Sequence, residues 1–140
     1  MDGSNPERFV SDCGIVWDAD PSGQYLLGVV DRGDKTGIYE VSISDRKCTF
    51  LLSGIVTNAA VFALDGKSIL YAVASRGEVT IYRQPWWDGK VTGAAEVALK
   101  VPFAFPLLYG GNAYDFSRDL SIIVYARPGG HADLYFLSQK

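Results

Sequence analysis

The sequence is poor in the side chains that bind metal ions and carry most nucleophilic chemistry. Its 140 residues include one histidine, His131, and two cysteines, Cys13 and Cys48, which are too few soft ligands for a structural zinc site. It also lacks a Gly-Xaa-Ser-Xaa-Gly nucleophile elbow, a Gly-rich phosphate-binding loop that ends in Lys-Ser or Lys-Thr, and a His-Glu-Xaa-Xaa-His motif. His131 follows an Arg-Pro-Gly-Gly turn, where we expect an exposed loop residue. We therefore predict a protein that is not an enzyme and has no catalytic residue, no cofactor and no metal.

The sequence does not determine whether Cys13 and Cys48 pair, because pairing depends on the distance between them in the fold. A disulfide bond and two free, buried thiols are both compatible with it. We favour the free thiols.

Positive charge is neither abundant nor clustered. Thirteen Lys and Arg residues stand against sixteen Asp and Glu residues, which gives a net charge of −3. Because phosphate recognition needs a local basic patch, we expect no nucleic-acid partner. Lys100 interrupts the most apolar stretch, so no uncharged run reaches the ~20 residues of a membrane span. Residues 1–8 lack the apolar core of a signal peptide, and we expect a soluble protein of the cytoplasm or the periplasm.

Apolar and aromatic residues are abundant and are arranged as a repeat. They make up 48% and 13% of the chain, which is enough for a folded chain, and the length predicts about one domain. Three pairs of landmarks share a spacing of 54 residues: Phe62 and Phe116, Asp65 and Asp119, and Tyr71 and Tyr125. Three upstream pairs share a spacing of 43 residues: Gly23 and Gly66, Leu27 and Leu70, and Tyr39 and Tyr82. A register that holds at separated positions indicates a repeat protein.

Each repeat is predicted to contain consecutive antiparallel strands. A short aromatic or apolar segment leads through an Asp-Gly-type turn into an almost wholly apolar run, and an Ile-Tyr or Leu-Tyr pair marks the third strand. A strand that is apolar on both faces must be covered on both faces. The expected strands lie at 16–17, 25–30, 38–39, 49–52, 61–62, 69–74, 81–82, 96–99, 114–116, 122–126 and 134–135. We predict an all-β, β-propeller-type fold with about three four-stranded antiparallel blades in this chain.

The strand order also predicts where the units begin and end. We place them at approximately 11–54, 55–109 and 110–140, within a single propeller-type domain or part-propeller. An additional strand at 8–10 has the character of the outer strand of a preceding blade. Propellers have about 4–8 blades, so three blades do not close a ring. We expect either a second copy of the chain, in a dimer with a six-bladed ring, or the remainder of a larger propeller to close it.

Two of the turns carry the residues of a known repeat. Segments 62–67 (FALDGK) and 116–119 (FSRD) resemble the aromatic-Ser-Pro-Asp-Gly-Lys motif of TolB-type, WD40-like (PD40) propeller repeats. From Ser75 onward the chain is also similar to the C-terminal propeller part of bacterial serine/threonine kinases and transcriptional regulators. The resemblance implies a non-catalytic binding or sensing module of a bacterial signalling protein that recognises a protein or a ligand. The alternative is the accessory, gating propeller of a prolyl-oligopeptidase-like hydrolase.

Two units depart from the repeat motif. The first has two more residues between its aromatic residue, Trp17, and its glycine, Gly23, than the second unit has. The third has Leu120 where the others have the turn glycine. Since glycine accepts a positive φ at no steric cost, we expect another type of turn at Leu120.

Three arginines form the first candidate binding site. Arg32, Arg76 and Arg127 all follow the second strand of their units, which places them on one rim of a propeller. Guanidinium groups gathered there could bind an anion or an acidic partner. The favoured alternative is that each Arg-Gly pair is only the soluble end of a hairpin.

Two tryptophans form the second candidate site. Trp86 and Trp87 lie in an insert, Gln84–Lys90, between the third and fourth strands of the second unit. Adjacent residues of an extended chain face opposite ways, so at least one of them could be exposed and could anchor a protein contact. Packing in the core or over the blade edge is the favoured alternative. A group of aspartates, at positions 18, 20, 31 and 34, lacks the spacing of a calcium loop, and we expect solvated turns there.

Overall fold

The fold is all-β, as the sequence predicts. The structure, a computed structural model, describes residues 13–32, 35–55, 57, 59–75, 78–102, 114–126 and 132–136. Within these ranges the chain forms twelve β-strands and no α-helix, and thus no helix with the length and apolar character needed to cross a bilayer. The strands are β1 (Ile15–Ala19), β2 (Tyr25–Arg32), β3 (Lys35–Ser42), β4 (Lys47–Ser53), β5 (Ala60–Phe62), β6 (Ser68–Ser75), β7 (Glu78–Trp87), β8 (Lys90–Val91), β9 (Glu96–Pro102), β10 (Tyr114–Phe116), β11 (Ile122–Ala126) and β12 (Ala132–Phe136).

The strands form three antiparallel sheets that follow one another along the chain. The first sheet has the order β1-β2-β3-β4, and the third has the order β10-β11-β12. The second has the order β5-β6-β7-β9, with the short strand β8 paired to the far end of β7. Each expected strand between 16 and 135 overlaps one of these strands. The strand expected at 8–10 lies outside the described residues.

The first turn of each sheet has the same geometry. A backbone N–H donates to the carbonyl five residues further on in every case, from Asp20 to Tyr25, from Ala63 to Ser68 and from Ser117 to Ile122. A residue with positive φ then occupies the same place in each turn, namely Gly23 (71°), Gly66 (63°) and Leu120 (61°). The expectation of another turn type at Leu120 is therefore wrong. The side chain of Leu120 is buried between the second and third sheets, and this burial offsets the cost of a left-handed backbone.

The two extra residues of the first unit do not lengthen its turn. Strand β1 has a bulge at Trp17, because Val16 lies opposite Gly28 whereas Asp18 lies opposite Leu27. The last pair before the turn is Ala19 with Leu26 in the first sheet, Phe62 with Ile69 in the second and Phe116 with Ile123 in the third. The structural equivalent of Phe62 is thus Ala19 and not Trp17.

Two apolar layers hold the sheets face to face. One lies between the first and second sheets and contains Leu27, Val29, Ile38, Ala60, Phe62, Ile69, Tyr71 and Trp86. The other lies between the second and third sheets and contains Leu70, Ala72, Val79, Ile81, Tyr114, Phe116, Leu120 and Ile123, among others. Strand β6 contributes alternate residues to both layers, because successive side chains of a strand point to opposite faces. Because both faces of β6 are buried, its sequence is apolar without interruption.

An ion pair joins the first sheet to the third. Asp18 is paired with the guanidinium group of Arg118, which also donates to the carbonyl of Ala19 at 3.0 Å. The second carboxylate oxygen of Asp18 accepts the backbone N–H of Phe62 at 2.8 Å. Only 12% of the Asp18 side chain is exposed, so the expectation of a solvated turn is wrong for this residue. A carboxylate with so little exposure needs such partners to offset the loss of its hydration.

Cys13 and Cys48 form a disulfide bond, with their Cα atoms 6.1 Å apart. The expectation of two free thiols is therefore wrong. The bond ties the segment before β1 to the outer strand β4, and the two residues are 35 positions apart in sequence. To reach β4 the chain passes close to β3 at Gly14, where a Cβ atom would lie 3.2 Å from the ring of Tyr39. The sequence spacing gives no sign of this crossing over the sheet.

Candidate binding groove

A two-stranded ribbon extends the second sheet. Strand β7 is ten residues long, and its last two residues pair with β8 rather than with β9. Asp88 and Gly89 turn the chain between β7 and β8, with φ angles of 45° and 77°. Positive φ at both central positions defines the type I′ turn, for which Asp-Gly is a favoured dipeptide. The insert at Gln84–Lys90 is thus an ordered hairpin.

The two adjacent tryptophans face opposite ways on this ribbon. Trp86 is 4% exposed, and its ring lies 5.3 Å from that of Tyr25 and 5.0 Å from that of Phe62, centroid to centroid. Trp87 is 61% exposed. The ribbon is therefore anchored on one face by a buried indole and displays a second indole on the other.

A buried carboxylate of the first sheet receives the anchoring indole. Trp86 Nε1 donates to Glu40 Oε2 at 3.2 Å, and Glu40 is 5% exposed. Burial raises the pKa of Glu40, and the hydrogen bond from Trp86 opposes that rise. Gly89 leaves the necessary room, because a Cβ at this position would lie 2.8 Å from Glu40 Oε1. The turn residue is thus required both for its positive φ and for its lack of a side chain.

The tip of the ribbon is also tied to the first sheet. The hydroxyl of Tyr25 donates to Asp88 Oδ1 at 2.8 Å. This hydrogen bond to a carboxylate raises the pKa of Tyr25 to about 12, because loss of the proton would place two negative charges side by side. Tyr25 and Glu40 therefore hold the ribbon at two points.

Asp20 organises the β1–β2 turn beside the ribbon. Its Oδ1 accepts the backbone N–H of Tyr25 at 2.7 Å, and its Oδ2 accepts that of Ser22 at 3.0 Å. Burial alone would raise the pKa of Asp20, but the hydrogen bonds from Ser22 and Tyr25 outweigh burial and hold it below its ordinary value. Asp20 is 8% exposed, so the expected solvated turn is wrong for this residue as well.

The β1–β2 turn, the β5–β6 turn and the ribbon border an open groove of ≈ 380 Å³. Its lining includes Asp20 and Tyr25 from the first sheet, Gly66 from the β5–β6 turn, and Trp86, Trp87 and Asp88 from the ribbon. Three aromatic residues and two acidic residues thus border one concave surface. No lysine or arginine is among the described residues that line it. A volume of this order suits a side chain or a short segment of a ligand.

The structure does not test the arginine site. Arg32 lies at the end of β2, where its backbone pairs with Lys35, and this end is opposite to the β1–β2 turn that lines the groove. Arg76 and Arg127 lie outside the described residues, as does His131. The described residues bring together no cluster of His, Cys, Asp or Glu that could hold a metal ion.

Sequence reasoning singled out Trp86 and Trp87 but missed the residues that position them. Asp88-Gly89 is the same hairpin signal that marks the β5–β6 turn at Asp65-Gly66, and it could have predicted the ribbon. Tyr25 and Glu40 carry no such signal, because only the packing of the first sheet against the second brings them to the ribbon.

Comparisons with known proteins support the fold. No protein-family model matches the chain, and no curated protein matches its sequence. Among solved structures, the crystal structure of TolB from Acinetobacter baumannii is similar, with a TM-score of 0.54 and 22% sequence identity. The similarity covers 86% of this chain and 28% of the TolB chain, so the chain spans little more than a quarter of that protein. The predicted fold is confirmed: the chain has the architecture of part of a TolB-like β-propeller, built from antiparallel blades.

Proposed function

We propose that the chain is a non-catalytic β-propeller binding module that recognises a protein segment in the groove beside the ribbon. The observation that carries this proposal is the 61% exposure of Trp87 on a ribbon whose opposite face is fixed in the core. Tryptophan gives a large contact area and is enriched among residues that dominate binding energy. A rigid loop tip on a β-scaffold is also where binding residues of such folds are commonly found.

The rigidity of the ribbon supports the proposal. The type I′ turn and the hydrogen bonds to Tyr25 and Glu40 fix the backbone on which Trp87 stands. A surface that is already ordered loses little conformational freedom when a ligand binds, and this lowers the entropic cost of association. A tryptophan on a disordered insert would not have this advantage.

We propose further that the module forms part of a larger propeller in a bacterial signalling protein. The similarity of the chain to 28% of a bacterial TolB chain, and of the segment from Ser75 onward to kinase- and regulator-linked propellers, supports this. We expect a kinase or DNA-binding domain in the same reading frame. A hydrolase domain there would instead favour the gating propeller of a prolyl-oligopeptidase-like enzyme.

Panning of a random-peptide phage library on the immobilised chain tests the binding function. We expect enriched peptides that lose at least about tenfold in affinity on Trp87→Ala, since truncation of a central tryptophan anchor costs about 2 kcal/mol or more. Trp17→Ala is the matched control, because Trp17 is also exposed, at 41%, but does not line the groove. Peptides that bind the Trp87→Ala variant as well as the original chain would contradict the proposal, as would a library that yields no specific binder.

A further inference from the structure

We infer that the groove takes a cationic side chain, the guanidinium group of an arginine or the ammonium group of a lysine in the bound segment. This inference rests on the proposed function and narrows its ligand. It follows from the charges that line the groove, from the open acceptor on Asp88 and from the aromatic rings beside that acceptor.

All charged residues among the described lining of the groove are acidic. Asp20 and Asp88 both line it, and no lysine or arginine is among its described lining residues. Asp20 remains ionised, because hydrogen bonds hold its pKa below the ordinary value. A cation that enters a concave surface with two carboxylates gains more from them than it would on an open surface, where solvent screens the attraction.

Asp88 offers an acceptor that the described residues of the chain do not use. Its Oδ1 accepts the hydroxyl of Tyr25, whereas its Oδ2 accepts no hydrogen bond from the described residues. The positive φ of the turn holds the exposed Asp88 at the tip of the ribbon. A guanidinium or ammonium donor can therefore reach Oδ2 while the bond from Tyr25 remains in place, and such charge-assisted hydrogen bonds are about twice as strong as neutral ones.

Aromatic rings flank this acceptor. Trp87, which is next to Asp88 in the chain, is an exposed residue of the groove lining, and the hydroxyl of Tyr25 donates a hydrogen bond to Asp88 itself. The face of an indole attracts a cation more strongly than the face of any other side chain. The ribbon has one lysine, Lys90, which pairs with Trp87 across the turn but is not part of the lining. An acceptor beside aromatic faces is suited to arginine or lysine.

A glycan is the other ligand that stacks on tryptophan and binds to carboxylates. A neutral sugar gains hydrogen bonds from Asp88 but nothing from the combined charge of the groove. The acidic lining of the groove therefore favours a cationic ligand over a sugar. The experiment below distinguishes the two ligands.

Titration of the full chain, labelled with ¹⁵N, tests the inference through the indole N–H resonances of its three tryptophans. The probes are a blocked pentapeptide with one arginine between glycines, the same peptide with norleucine in place of arginine, and triacetylchitotriose. We expect the arginine peptide to shift the Trp87 resonance in a saturable way. The norleucine peptide should bind at least about tenfold more weakly, because it keeps the chain length but lacks the charge.

The variants separate charge from structure. Asp88→Asn keeps an amide oxygen for the hydroxyl of Tyr25 and removes the negative charge, so it should weaken the arginine peptide about tenfold and leave the norleucine peptide unchanged. Asp31→Asn is the control, because Asp31 is an exposed carboxylate near the end of β2 that lies opposite to the groove. Equal binding of both peptides, an equal response to the two variants, a shift with the sugar alone, or no shift with millimolar arginine peptide would each overturn the inference.

The two proposals fail separately. If panning yields peptides that depend on Trp87 but carry no essential lysine or arginine, the cationic ligand is wrong and the binding groove stands. If no peptide depends on Trp87, the groove itself is wrong as a binding site. If a peptide needs its single basic residue for binding, and its binding also needs Trp87 and Asp88, both the groove and its cationic ligand are supported.

Discussion

Leu120 tests the shared turn geometry, because glycine should be more stable than alanine at this position, whereas alanine should be more stable at an ordinary strand position. Its backbone has φ 61°, like that of Gly23 and Gly66 in the equivalent turns, yet its side chain is only 5% exposed. Two terms therefore oppose each other at one residue. The buried side chain stabilises the layer between the second and third sheets, while the left-handed backbone costs about 1–2 kcal/mol for any residue that has a Cβ atom.

The two terms predict an order of stabilities. Leu120→Ala removes the buried side chain and keeps the backbone cost, so it should lower the free energy of unfolding by about 2–5 kcal/mol. Leu120→Gly removes the same burial but relieves the backbone. Since glycine's extra freedom in the unfolded chain costs about 0.5–1 kcal/mol, the net advantage of glycine over alanine is about 0.5–1 kcal/mol. The expected order is the original chain, then Leu120→Gly, then Leu120→Ala.

Urea unfolding followed by circular dichroism measures this order, with linear extrapolation to water. Leu99 supplies the matched control, because it packs against the same layer from strand β9, where φ is negative and glycine should be worse than alanine. Gly23→Ala isolates the backbone term, because a Cβ at this position meets no atom within 4 Å; we expect a loss of about 1 kcal/mol. If Leu120→Gly were less stable than Leu120→Ala, as at Leu99, the shared turn geometry would be refuted.

Three further predictions concern titration, the disulfide and assembly. Because burial raises the pKa of Glu40, the folded chain holds that proton more tightly than the unfolded chain, and the resulting stability is lost as the pH rises through the folded-state pKa. Glu40→Gln keeps an acceptor for Trp86 and removes this loss, so its unfolding free energy should rise relative to that of the original chain as the pH increases above the ordinary glutamate pKa of about 4.3; a difference that does not vary with pH would contradict this. Reduction of the Cys13–Cys48 bond, which spans 35 residues, should lower the unfolding free energy by about 2–4 kcal/mol, and equal urea midpoints with and without reductant would show that the bond does not constrain the chain. Light scattering should give twice the 15.3 kDa mass of the chain if two copies close a six-bladed ring, whereas a stable monomer with a cooperative melt would exclude that assembly.

The strands could be predicted because each unit repeats the same local signals. Apolar runs such as those of β2, β6 and β11 lie between turns marked by Gly23, Gly66 and Asp119, and both signals are legible in a single sequence. The turn at Leu120 was predicted incorrectly because its geometry is set by burial of the side chain in a tertiary layer, which outweighs the local preference for glycine.

The site was predictable only in part, for a related reason. Opposite orientations of Trp86 and Trp87 follow from the alternation of any strand, but which of the two is buried depends on Tyr25, Phe62 and Glu40 in other strands. The ion pair between Asp18 and Arg118 joins residues 100 positions apart. No local pattern records such a pairing, and the same holds for the disulfide.

A crystal structure of the chain with a Trp87-dependent peptide bound tests the central claim most directly. The account predicts that the peptide lies in the groove between the β1–β2 turn and the ribbon, with a basic side chain against the indole of Trp87 and a donor within 3.2 Å or so of Asp88 Oδ2. A peptide found at the opposite rim, where β2 ends at Arg32, or on an open face of the first or third sheet, would contradict it.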